Sequence, residues 1–100
     1  MSNLEGSSKR RFRVGSHTMV RVVGDQRMIL DSQSGCYARL SDVAGVVWSG
    51  VEAGLDESEI VDHISVEYGV ERGVVMIDVH EFLDDVVARQ LIIEIRAGDE

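Results

Sequence analysis

The sequence predicts an α+β fold, a three-stranded antiparallel sheet followed by three helices. Three observations predict it. Residues 17–40 hold short β-branched runs separated by Gly, Asp and Ser clusters. The apolar period changes from two to about 3.6 at Ser41. From there to residue 90, capping residues and glycines divide the chain into three helical segments. One hundred residues, 44% of them hydrophobic, suit a single domain with one core.

The chain opens with a polar stretch, residues 1–11, ending in Lys9-Arg10-Arg11. It has no period that could bury a face, so a flexible basic tail is expected. His17 to Val23 is rich in β-branched residues and partly alternates, which predicts a strand. Gly24-Asp25 supplies a turn, and Arg27 to Leu30 forms a second apolar run. Asp31 to Gly35 is a dense loop signal, and Cys36-Tyr37-Ala38-Arg39-Leu40 makes a third strand. Alternation puts Cys36, Ala38 and Leu40 on one face of it, with Tyr37 and Arg39 on the other.

Ser41 can accept the orphan amide hydrogens of a first helical turn. Ala44, Val47, Trp48, Val51 and Leu55 then recur at helical spacing, and Gly54 is placed to stop that helix. Asp56 and Glu59 form a capping-box pair for a second helix with the stripe Ile60, Ile64 and Tyr68, stopped by Gly69. A third helix runs from about Arg72 to Gln90, with Val75, Val79, Phe82, Leu83 and Val86 on its apolar side. Leu91 to Ile95 is a candidate last strand, and residues 96–100 are expected to fray as an acidic end.

Composition excludes several functions. The net charge of -8 opposes approach to nucleic-acid phosphates or anionic lipid. It is unevenly placed: residues 1–40 carry +4 and residues 41–100 carry -12. Strands before three helices suggest a winged helix-turn-helix relative, yet the third helix bears Asp78, Glu81, Asp84 and Asp85, with Arg89 its only base past the first turn. A major groove would repel it. No apolar run is long enough for a membrane span, and the first residues lack a secretory apolar region. A lone cysteine, Cys36, makes no internal disulfide and fits a reducing cytoplasm. The histidines are isolated, and no zinc or phosphate-loop motif occurs, so no metal or nucleotide cofactor is expected. No spacing pairs Cys36 with His17, His63 or His80, and no catalysis is expected.

Ile29-Leu30-Asp31, Ser34-Gly35-Cys36-Tyr37, Leu40-Ser41, Trp48, Asp56-x-x-Glu59-Ile60, Tyr68, Asp78-Val79 and Phe82-Leu83 together resemble the pattern of the PqqD-like family over roughly residues 17–93. One departure is Ser41, where the family usually has Asn; serine caps equally well. The resemblance implies a RiPP recognition element, a non-catalytic domain that binds the leader segment of a ribosomal precursor peptide. The peptide-binding domain would then span residues 12–95. The polar N-terminal extension and the Val, Gly, Asp and Arg bias look most like the discrete leader-binding B protein of lasso-peptide clusters. That resemblance implies a separate transglutaminase-like cysteine protease as partner, with no nucleic acid or membrane. A peptide chaperone of quinone-cofactor assembly is the alternative, and a winged-helix DNA-binding regulator a more distant one.

The residues suggest the same mechanism. In a three-strand meander the third strand lies at an edge with unpaired backbone groups, and here it lacks proline. An extended peptide could pair with Cys36, Tyr37, Ala38, Arg39 and Leu40 by strand addition. Val75, Val79, Phe82 and Val86 would form the apolar wall from the third helix. Asp78, Glu81 and Asp85 would hold basic peptide side chains, and Arg39 an acidic one. Plainer roles stand beside these: Leu83 and Trp48 read as core, Phe82 as core or pocket, Asp78 as peptide contact or local pair, and Cys36 as a small strand hydrophobe.

Overall fold

The computed structural model describes residues 9–95. These form strands β1 (Arg11–Val14), β2 (Thr18–Val23), β3 (Gln26–Asp31) and β4 (Tyr37–Leu40), helices α1 (Asp42–Glu52), α2 (Glu57–Tyr68) and α3 (Arg72–Ala88), and strand β5 (Ile92–Ile95). The fold is α+β. The meander predicted from residues 17–40 is the antiparallel sheet β2-β3-β4. Gly24, at φ +66°, takes the left-handed conformation that a two-residue hairpin loop needs between Val23 and its partner Gln26. Val20, Ile29 and Ala38 sit opposite one another across the sheet, and Ile29 is fully buried against the helices. The other face carries Met19, Leu30 and Tyr37 in one row and Arg21, Met28 and Arg39 in the next.

The helix signals operate as hydrogen bonds. Ser41 Oγ accepts from the Ala44 N–H at 3.3 Å. Asp56 Oδ1 accepts from the Glu59 N–H at 2.8 Å, and Glu59 Oε1 accepts from the Asp56 N–H at 2.9 Å, closing the capping box. Trp48, Ile60, Leu83, Val86, Leu91 and Ile92 are among the residues that fill the core. Gly50 lets α1 and α2 meet closely, since a Cβ there would lie 2.7 Å from Ile60 Cγ1. Burying these large side chains contributes roughly 1.5–3 kcal/mol apiece.

Three expectations need correction. Arg10 and Arg11 are not part of a free tail: Arg11 opens β1, which pairs antiparallel with β5, and Arg10 is held by side chains from α2, α3 and β5. Residues 1–8 of the predicted tail, and the predicted frayed end, residues 96–100, lie outside the described residues. Tyr68 is not on the buried stripe of α2; it is 41% exposed, and Val61 joins Ile60 and Ile64 instead. Cys36 is exposed and precedes β4 rather than belonging to it, because its N–H donates to Ser34 Oγ at 3.2 Å inside the loop and only its carbonyl joins the ladder, accepting from the Asp31 N–H at 2.8 Å.

Candidate functional site

The backbone of β4 decides what this edge can do. In an antiparallel ladder alternate residues direct both backbone groups to the same neighbour. The Asp31-to-Cys36 bond assigns Cys36, and by alternation Ala38 and Leu40, to β3. The N–H and C=O groups of Tyr37 and Arg39 therefore turn outward, away from the sheet. Of the predicted edge residues, Tyr37 and Arg39 supply outward backbone groups that pair with no other strand among the described residues, while Ala38 and Leu40 anchor the ladder. Leu40 is buried and Ala38 half-buried beneath the sheet.

The wall opposite comes from α3. Two adjoining depressions run along the edge. One, of about 510 Å³, is lined by Tyr37, Ala38, Arg39, Phe82, Asp85 and Arg89 together with Gly35 and Cys36. The second, of about 260 Å³, is lined by Ser41, Val43, Ala44, Val47, Asp78, Val79 and Phe82. Phe82 is common to both and half-buried, so it is the apolar centre of the groove. The predicted wall was broader. Val75 and Val86 line neither depression and are buried in the core, and Val79 reaches the groove only at the Ser41 end while itself 1% exposed. The reason is rotation: residues four apart on α3 (Val75, Val79, Leu83) form its inward stripe, and of the predicted apolar residues Phe82 alone lines the depression beside β4. A larger concavity of about 570 Å³ lies elsewhere, between the β2–β3 hairpin and helices α1 and α2.

Charge along the groove changes sign. Asp78 lies at the Ser41 end, and Asp85 with Arg89 at the Tyr37 end. Arg89 was not among the predicted site residues. It donates from Nη1 to the outward carbonyl of Tyr37 at 2.8 Å and from Nε to Asp85 Oδ1 at 3.3 Å. The sequence placed it in the last turn of the third helix, whereas α3 ends at Ala88 with Arg89 as its cap, and its reach to a strand 52 residues earlier was not legible.

Two polar assemblies hold the groove walls. Arg10 Nη2 donates to Asp84 Oδ1 at 3.0 Å and to Glu94 Oε1 at 3.1 Å, and its Nη1 lies 3.6 Å from Oε1 of Glu57, a carboxylate only 1% exposed. His80 Nδ1 is within 3.0 Å of Glu57 Oε2. Burial opposes the Arg10 charge, but the hydrogen bonds to Glu94 and Asp84 outweigh it and raise its pKa. This assembly ties α3 to α2 and β5. At the other wall, the Gln33 N–H on Asp31 Oδ1 (2.9 Å) holds that carboxyl below the usual carboxylate range; burial works against the shift and the Ser34 N–H reinforces it. Asp31 thereby shapes the loop that launches β4.

The profile of the family described as coenzyme PQQ synthesis protein D (PqqD) matches residues 26–92, from β3 through the start of β5. The chain belongs to the PqqD family. Two solved structures are similar to this PqqD-family chain. TbiB1 in complex with the TbiA(beta) leader peptide is 31% identical, with a TM-score of 0.74 over 81% of this chain and 94% of that one. Lasso peptide synthetase B1 complexed with the leader peptide has a TM-score of 0.76 at 22% identity, over 83% of this chain and 98% of that one, and speaks for the fold. No curated protein matches the chain. The PqqD-family match includes β3, β4 and α3 whole, the elements that frame the groove, and leaves out β1 and the Arg10 that braces it.

Proposed function

We propose that this chain is a RiPP recognition element of the lasso-peptide type. It binds the leader segment of a ribosomal precursor peptide as an added strand on β4, within the groove against α3. The observation that carries this reading is the outward backbone of Tyr37 and Arg39 facing Phe82 across an open groove. Strand addition supplies orientation through the backbone, and pockets supply choice of sequence. TbiB1, the relative at 31% identity, was solved with a leader peptide. In this reading the chain performs no chemistry. It presents the leader to a separate transglutaminase-like cysteine protease. The exposed face of α3, with Asp78, Glu81, Asp84 and Asp85, disfavours DNA as the ligand.

Titrating the labelled TbiA(beta) leader peptide, the one solved with the 31% identical relative, and a labelled DNA duplex against the protein tests the reading. Saturable leader binding that weakens little with salt supports it. Duplex binding that falls steeply with salt, without leader binding, overturns it. The family description supports a quinone-cofactor precursor peptide as the second reading, and competition between the two classes of peptide separates them.

A further inference from the structure

The groove proposed above for a guest strand is not wholly open in the free protein. Of the outward groups on β4, the Tyr37 carbonyl already accepts a hydrogen bond, from Arg89 Nη1 at 2.8 Å. A guest strand in full register needs that carbonyl for its own N–H. A carbonyl can accept two hydrogen bonds, but the Arg89 guanidinium occupies the outward side along which the guest strand would lie, so it has to swing aside for the ladder to close. It is able to, because its side chain is 45% exposed and its other partner, Asp85, is a neighbour one helical turn back.

We infer that Arg89 is a latch on the β4 edge and, once displaced, the residue that selects a carboxylate in the guest peptide. This rests on the groove reading above and deepens it. A guanidinium moved off a carbonyl needs a replacement acceptor, and a carboxylate is the acceptor whose geometry it fits best. The rest of the groove favours the same place. Asp78 at the Ser41 end repels an acidic guest residue, and Asp85 at the Tyr37 end is already paired with Arg89. The guest would therefore carry aspartate or glutamate at the position facing the end of α3, and a neutral or basic residue toward Asp78. A guest lacking the acid leaves the displaced guanidinium with Asp85 as its one remaining partner and no new carboxylate, so the latch also rejects wrong peptides.

The two roles give effects of opposite sign. Removing Arg89 weakens binding of an acidic guest and strengthens binding of its neutral isostere, whereas damage to the fold weakens both. The experiment selects displayed random peptides on the wild-type protein. A selected peptide whose binding is lost in Phe82→Asp is then compared with its Glu→Gln or Asp→Asn form on wild type and Arg89→Gln. Expected are an acidic preference at one fixed position, about a tenfold loss on neutralising it with wild type, little loss with Arg89→Gln, and tighter binding of the neutral peptide by Arg89→Gln than by wild type. Arg89→Glu, as a second variant, should turn the preference toward Lys. Groove-bound peptides with no acidic preference, or one unchanged by Arg89→Gln, would overturn the latch and leave the groove reading standing. If the wild-type protein enriches no peptide dependent on Phe82, the groove reading falls and the latch with it.

Discussion

Arg39→Pro separates a strand-adding edge from a groove that merely encloses its ligand. Proline removes one backbone N–H and fixes φ near -65°. Arg39 directs that N–H outward, so the variant keeps the β3–β4 ladder and deletes a donor only a guest strand would use. A typical hydrogen bond contributes about 0.5–1.5 kcal/mol net, which converts to roughly a 2- to 13-fold loss of leader affinity. The ring also intrudes where a strand about 4.8 Å away would lie, so the lower figure is a floor. Arg39→Gln controls for the lost charge, and the ratio of the two affinities isolates the backbone. Ala38→Pro is the opposite control: its N–H faces Ile29 in the ladder, so it lowers stability more than Arg39→Pro does. The assay is fluorescence anisotropy of a labelled leader, with thermal melts followed through the buried Trp48. Equal affinities for Arg39→Pro and Arg39→Gln, with both proteins folded, would refute strand addition on β4.

Other variants probe the walls and their supports. Phe82→Ala should weaken leader binding by about 1–2 kcal/mol, part of what burying an aromatic contact provides, and calorimetric titration would read it; Val79→Asp should instead unfold the protein, because Val79 is core. Arg10→Ala leaves the buried Glu57 carboxylate without its guanidinium and should reduce unfolding free energy by about 2–4 kcal/mol in urea, with Glu57→Gln in the same chain recovering part of the loss. Asp31 has a lowered pKa when folded, so its contribution is complete above the unfolded value of about 3.9 and fades as pH falls below it. The stability gap between wild type and Asp31→Asn should narrow in that acid range, and a gap independent of pH would count against the role given to the Gln33 and Ser34 amides.

Local chemistry made the larger part of the fold legible. Ser41, Asp56 and Glu59 satisfy amide hydrogens within three residues of themselves, so their effect is visible in the sequence without the rest of the chain. The same holds for Gly24 at the hairpin and for Val75, Val79 and Leu83, whose spacing alone defines one side of a helix. β1 was not legible. Arg11–Val14 is too short to signal a strand inside a basic run, and it becomes one through Ile92–Ile95 at the far end of the chain.

The candidate site divides in the same way. That a third strand would stand at an edge, and that a third helix would run beside it with Phe82, followed from composition, period and turn signals. Which backbone groups point outward, which of the apolar residues on α3 face β4, and the contact of Arg89 with Tyr37 were decided by the tertiary structure. The physical reason is range. Caps, turns and amphipathic periods act over a few residues and are written in adjacent letters. A helix's rotation against a sheet, and a charge's partner 52 residues away, are set by how the whole core packs, and no short stretch of the chain contains that balance.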